Sequence, residues 1–235
     1  MRRGAALLLL LVPPEAFAND EVAAGRAEPI DRYLMSDRAA EVALARSAAP
    51  PPVGARAAVW VLDRAGYREA AAGDNGFVCL VGRAWSAPIR FVSGRPNPEF
   101  WSPEVRAPMC LNPEAVRTIL PPLMRRTELA LLRRSLGEVE DDTKERFAAG
   151  TYRRPEGVAM SYMLSKDQHL GQAVGHFMPH VMLYAPHAER KDWGALGTLS
   201  GFPFVGEHEG NPHALVIIPL GRWSDGSTAL QDHPR

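Results

Sequence analysis

The stretch ARAAVWVLDRAGYREAAAGDNGFVCLVGRAW, residues 55–85, constrains the fold most. It holds three strand-forming runs, at 59–62, 67–72 and 77–81, parted by residues that favour turns. Val, Trp, Tyr, Phe and Leu suit a pleated, partly buried surface. Asp74-Asn75-Gly76 is a tight-turn signal, because Asn and Gly accept positive φ. The pattern predicts a three-stranded antiparallel meander. Apolar side chains occur at both parities in the third run, so both faces of that strand are expected to be covered.

A helical block follows. Residues 86–112 carry five prolines and read as a long loop. Asn112-Pro113-Glu114 then has the order of an N-cap, a first helical position and a dipole-favoured acid. Pro121-Pro122 should end or kink that helix. A second helix is expected over 123–135, with Leu129, Leu132 and Leu136 on its inner face. Arg125, Arg126, Arg133 and Arg134 are expected on its exposed side. A third runs over 138–149 and stops at Gly150. Upstream, MSDRAAEVALARSAAPPP reads as a helix capped by Ser36, with Ala39, Val42 and Ala45 on one face and the three prolines as a stiff spacer. Strand-like runs return in GVAMSYMLS, HVMLYAP and ALVIIPL. Strands, then helices, then strands imply an α+β fold: a mostly antiparallel sheet, helices packed on one face, a single domain over 35–235.

The first residues, MRRGAALLLLLVPPEAFAND, have the order of a secretory signal peptide over 1–18. Arg2 and Arg3 precede a nine-residue apolar core, and Ala16-Phe17-Ala18 offers a cleavage site. A spanning helix needs roughly 20 apolar residues, so no membrane span is expected. Residues 19–34 read as an extended lead-in. Export, to a periplasm or the external medium, makes a Cys79–Cys110 disulfide the simplest use of the two cysteines. With 27 basic and 27 acidic residues the chain has no net charge, which gives no electrostatic case for binding nucleic acid.

All seven histidines fall between His169 and His233. GHFMPHVMLYAPH places His176 and His180 four residues apart. Two such histidines hold one metal ion well on a helix, but Pro179 disfavours a helix there. On a strand they would share a face about 13 Å apart, at ~3.3 Å per residue. A third ligand would come from Glu207, His208, Glu209 or Asp225. The connection LSKDQHLGQAVGHFMPH is rich in polar donors and glycines, a composition suited to a recognition loop. Trp223, beside Asp225, would floor a pocket or pack on the body.

The segments YLMSDRAAEVALARSAAP, NGFVCLVGRAW, MCLNP, SYMLSKDQHLGQAVGHFMPHVMLYAP and IIPLGRWSDGS together resemble a family of exported bacterial proteins with no assigned activity. The resemblance implies one domain and bacterial export, and brings no cofactor or catalytic residue with it. The leading expectation is a non-enzymatic or small-ligand-binding envelope protein, whose partner is a small molecule or an envelope component. Its cleft would lie near His169, His176, His180, Trp223 and Asp225, with no cofactor. The alternatives are a hydrolase-like metal-dependent enzyme using His176 and His180, and a thiol enzyme using Cys79.

Overall fold

The structure is a computed structural model that describes residues 21, 22, 24–90, 94–172, 174–197, 201–206, 209–212 and 214–229. The expected signal peptide, Glu207, His208, His213 and His233 lie outside the described residues. The α+β class, the mostly antiparallel sheet and the single domain are as expected. Eight strands form one sheet among the described residues: β1 (Ala58–Asp63), β2 (Gly66–Ala71), β3 (Val78–Gly82), β4 (Ala107–Leu111), β5 (Ala159–Met163), β6 (His180–Tyr184), β7 (Phe204–Val205) and β8 (Leu215–Pro219). Their order is β2-β1-β3-β4-β5-β6-β8-β7.

The first three strands are not a meander. β1 and β2 form the expected antiparallel hairpin, but β3 pairs with the other side of β1, in parallel. The reason lies in Gly73. A Cβ there would stand 2.0 Å from Ala58 N and 2.5 Å from Ala57 C. Only glycine lets the chain pass that close to the start of β1. Asp74 N then donates to Arg56 O, and Ala58 N to Phe77 O, each at 2.9 Å. Asn75 and Gly76 thus turn a crossing rather than a hairpin.

The proline-rich stretch hides a strand. β4 contains Pro108 and yet is buried throughout, paired with β3 on one side and β5 on the other. Cys79 and Cys110 are direct cross-strand partners, Cα atoms 4.0 Å apart, and form the disulfide. No free cysteine remains, which overturns the thiol-enzyme alternative.

Helices cover the sheet unequally. α1 (Arg38–Arg46) is capped by Asp37, one residue after the expected Ser36; its carboxylate accepts from Ala39 N and Ala40 N. Its Ala45 packs on Val59, Val61, Cys79, Val81 and Cys110. The prolines that follow start a second short helix, α2 (Pro51–Gly54), since the first turn needs no backbone donor. On the opposite face lie α3 (Pro113–Thr118) and α4 (Leu120–Leu131); they part at Ile119, so Pro121-Pro122 sit in the first turn of α4 and do not themselves end α3. Here Leu120 and Leu123 pack on Val78, Leu80, Met109 and Leu111. α5 (Leu136–Ala148) begins in a Ser135/Glu138 capping box. So the larger helices share one face, and α1 adds a layer on the other. The lead-in docks as well: Tyr33 is fully buried, 4.8 Å from the Trp85 ring, and donates to Trp101 O at 2.6 Å.

Candidate functional site

The helical cover ends part-way across the sheet. Every residue of β3 and β4 is buried, while β6 and β8 are mostly half-buried. Where the cover stops, a cavity of about 430 Å³ lies against the same face. Pairing fixes its floor. Opposed residues of antiparallel strands point the same way, so Met109 and Ala107 of β4, Met163 of β5, and His180, Met182 and Tyr184 of β6 share that face with Leu215 and Ile217 of β8. All of them line the cavity. Ile119, Pro122, Leu123 and Arg126 close it from the α3–α4 side. Val174 and Leu196, both exposed, stand at its mouth. The size is that of a small-molecule site, and the lining is mainly apolar with few polar groups.

Three polar side chains in this wall have defined states. His180 is 3% exposed. Its Nδ1 lies 2.8 Å from Met178 O. A carbonyl only accepts, so Nδ1 carries the proton, and Nε2 is an acceptor in the neutral ring. Burial pushes its pKa down to about 4, against the opposing bond to Met178. Its ring meets Phe177 edge-on at 5.2 Å. Tyr184 reaches fully buried Ser161, hydroxyl to hydroxyl at 3.2 Å. Burial raises that phenol to about 12.

Arg126 is the third, and a correction: it is only 7% exposed, not on an exposed face. It lies three residues after Leu123 and four before Ala130, which puts all three on the inward stripe of α4. Its Nη1 donates to Ala87 O at 3.0 Å and to Trp85 O at 3.4 Å. Its Nε is shielded from solvent and has no acceptor. Burial lowers its pKa to about 10, which leaves it charged at neutral pH. Arg83 also reaches the cavity wall, but its charge is matched: Nη2 meets Glu41 Oε1 at 2.8 Å, Nε donates to Tyr33 O, and Nη1 to Val81 O.

The residues singled out by sequence divide. His180 lines the cavity. His176, Trp223 and Asp225 gather beside it in a separate cluster. There His176 Nε2 lies 2.6 Å from Lys166 O, and its ring packs 4.8 Å from that of Trp223. Lys166 Nζ meets Asp225 Oδ2 at 2.6 Å, which holds that carboxyl well below the usual range. The cluster fastens the turn after β8 to the connection between β5 and β6, as does Ser224 N donating to Leu164 O. His169 is held elsewhere, its backbone in a two-way bridge with Arg106. Glu209 is engaged by Arg190 at 2.9 Å. Among the described residues, no three His, Cys, Asp or Glu side chains stand together as a metal-binding group. None of the described helices is long and apolar enough to cross a membrane. No family model, curated protein or solved structure matches the chain.

Proposed function

We propose that this is an exported protein that binds a small apolar molecule in the cavity between the β4–β8 face and the α3–α4 junction. One observation carries the reading. A concave space of about 430 Å³ lies within a single domain and is walled by Met109, Met163, Met182, Leu215 and Ile217. Cavities of this size bury most of a small ligand, and flexible methionines adapt to varied apolar shapes. The Cys79–Cys110 disulfide and the leader-like first eighteen residues support export. The resemblance to exported bacterial proteins agrees with an envelope role. His180, held neutral, supplies an acceptor rather than a charge, which suits recognition of an uncharged part of the ligand.

The test is a titration of purified protein with 1-N-phenylnaphthylamine, a neutral fluorophore that brightens out of water. Wild type is expected to bind it saturably. Met182→Trp, which fills the floor, is expected to weaken binding by about tenfold or more, roughly 1.4 kcal/mol. No saturable signal in wild type, or equal affinity in the filled variant, overturns the reading.

A further inference from the structure

Two arginines reach the wall of the cavity with their charge away from water, and only one of them has a counter-ion. Arg83 has Glu41. Arg126 has no carboxylate within ion-pair distance among the described residues, and its only hydrogen bonds run from Nη1 to two carbonyls. Its Nε and Nη2 donate to no described group, and Nε is shielded from solvent as well. Of the two, only Nη2 keeps any exposure, so only Nη2 can meet an incoming oxygen. Nη1 is the nitrogen that the protein uses to hold Trp85 and Ala87. A buried charged donor without an acceptor is costly and uncommon. Nη2 is thus left without an acceptor on a charged residue that lines an apolar cavity.

We infer that the ligand is an amphipathic monocarboxylate, its apolar body on the methionine-lined floor and its carboxylate against the unpartnered Nη2 of Arg126. The inference rests on the cavity being a ligand site and adds the chemical class of the ligand. Arg126 keeps its charge at neutral pH in spite of burial, as such a pairing requires. A charged group entering a site that excludes water is selected by its partner there, since a neutral analogue leaves the guanidinium unmatched.

Binding of cis-parinaric acid, a fluorescent polyene fatty acid, is compared with binding of its methyl ester. Wild type is expected to favour the acid about 10- to 100-fold, the range for a hydrogen bond to a charged group. In Arg126→Gln the ratio of acid to ester affinity is expected to fall to about one, whatever the change in ester affinity itself. Equal binding of acid and ester by wild type overturns the carboxylate assignment and leaves the apolar-ligand reading standing. So does an acid preference that survives in Arg126→Gln. Failure of both acid and ester to bind, together with failure of the neutral fluorophore, removes the ligand site itself. Thermal melting of the free proteins checks that Arg126→Gln folds without its bonds to Trp85 and Ala87. If it does not, Arg126→Lys replaces it. That variant keeps the charge but sets it back from the place of Nη2, so the acid preference should fall severalfold; an undiminished preference overturns the assignment.

Discussion

Arg83 Nη2 and Glu41 Oε1 meet at 2.8 Å with both side chains out of water. The pair joins α1 to the end of β3, and Glu41 Oε1 also accepts from Leu62 N at 3.3 Å. Removing one partner strands the other charge in the interior. Glu41→Ala is therefore expected to cost about 3–5 kcal/mol of unfolding free energy. Urea denaturation at neutral pH measures it, read as a lower midpoint at unchanged slope. A loss under about 1 kcal/mol, the range of exposed pairs, would show that the charge finds water or another partner.

The disulfide closes a loop between positions 31 apart. The chain-entropy model assigns such a loop roughly 3–4 kcal/mol, acting through the unfolded state. Cys79→Ala with Cys110→Ala is expected to lower stability by about 2–4 kcal/mol, with reduction of wild type giving a similar loss. Both positions are fully buried on the face that α1 covers. Comparison of the double variant with reduced wild type separates loss of the cross-link from loss of sulfur packing.

Much of the fold was legible because strand and helix periods are local. β1, β5, β6 and β8 stand near where alternation and β-branched residues put them. The capping signals of Asn112 and Pro113 were readable for the same reason. β4 was not, because Pro108 and Met109 disguise a strand whose burial comes from two neighbours far along the chain. The site was less legible still. Its floor depends on strand order, and its roof on where α3 and α4 happen to end. The cluster of histidines marks His180, which lines the cavity, and equally His176, which fastens a loop beside it. Arg126 was hidden among neighbouring arginines. The one clue was its spacing from Leu123 and Ala130, which puts it on the buried stripe of α4.

The crossing from β2 to β3 makes a sharper demand on sequence than any turn signal. A methyl group at position 73 would overlap main-chain atoms at 2.0, 2.5 and 2.7 Å, and main chain cannot step aside as a side chain can. Gly73→Ala is expected to cost at least the 1–3 kcal/mol typical of overpacking, with β1 and β3 losing their parallel pairing. Gly157 provides the control, since a Cβ there meets nothing within 4 Å. Gly157→Ala should lie within about 0.5 kcal/mol of wild type. Melting curves of the two variants decide it, and equal melting temperatures would mean that the crossing relaxes freely.

His180 gives stability a pH dependence whose sign follows from its burial. Its folded pKa, about 4, is below the ordinary 6.5. As pH falls beneath 6.5, the unfolded chain takes up a proton that the folded protein refuses until about pH 4. Stability from this residue is therefore full above 6.5 and is lost progressively on the way down. At 1.36 kcal/mol per pKa unit, the loss between pH 7.5 and 4.5 is about 2–3 kcal/mol. His180→Asn removes the titration and keeps a donor for the Met178 carbonyl. Urea midpoints at the two pH values are expected to fall further for wild type than for the variant, by that amount. Carboxylates titrate alike in both proteins, so the difference belongs to position 180. Equal losses would mean that the ring is protonated in place, and that the wall of the cavity admits a further positive charge.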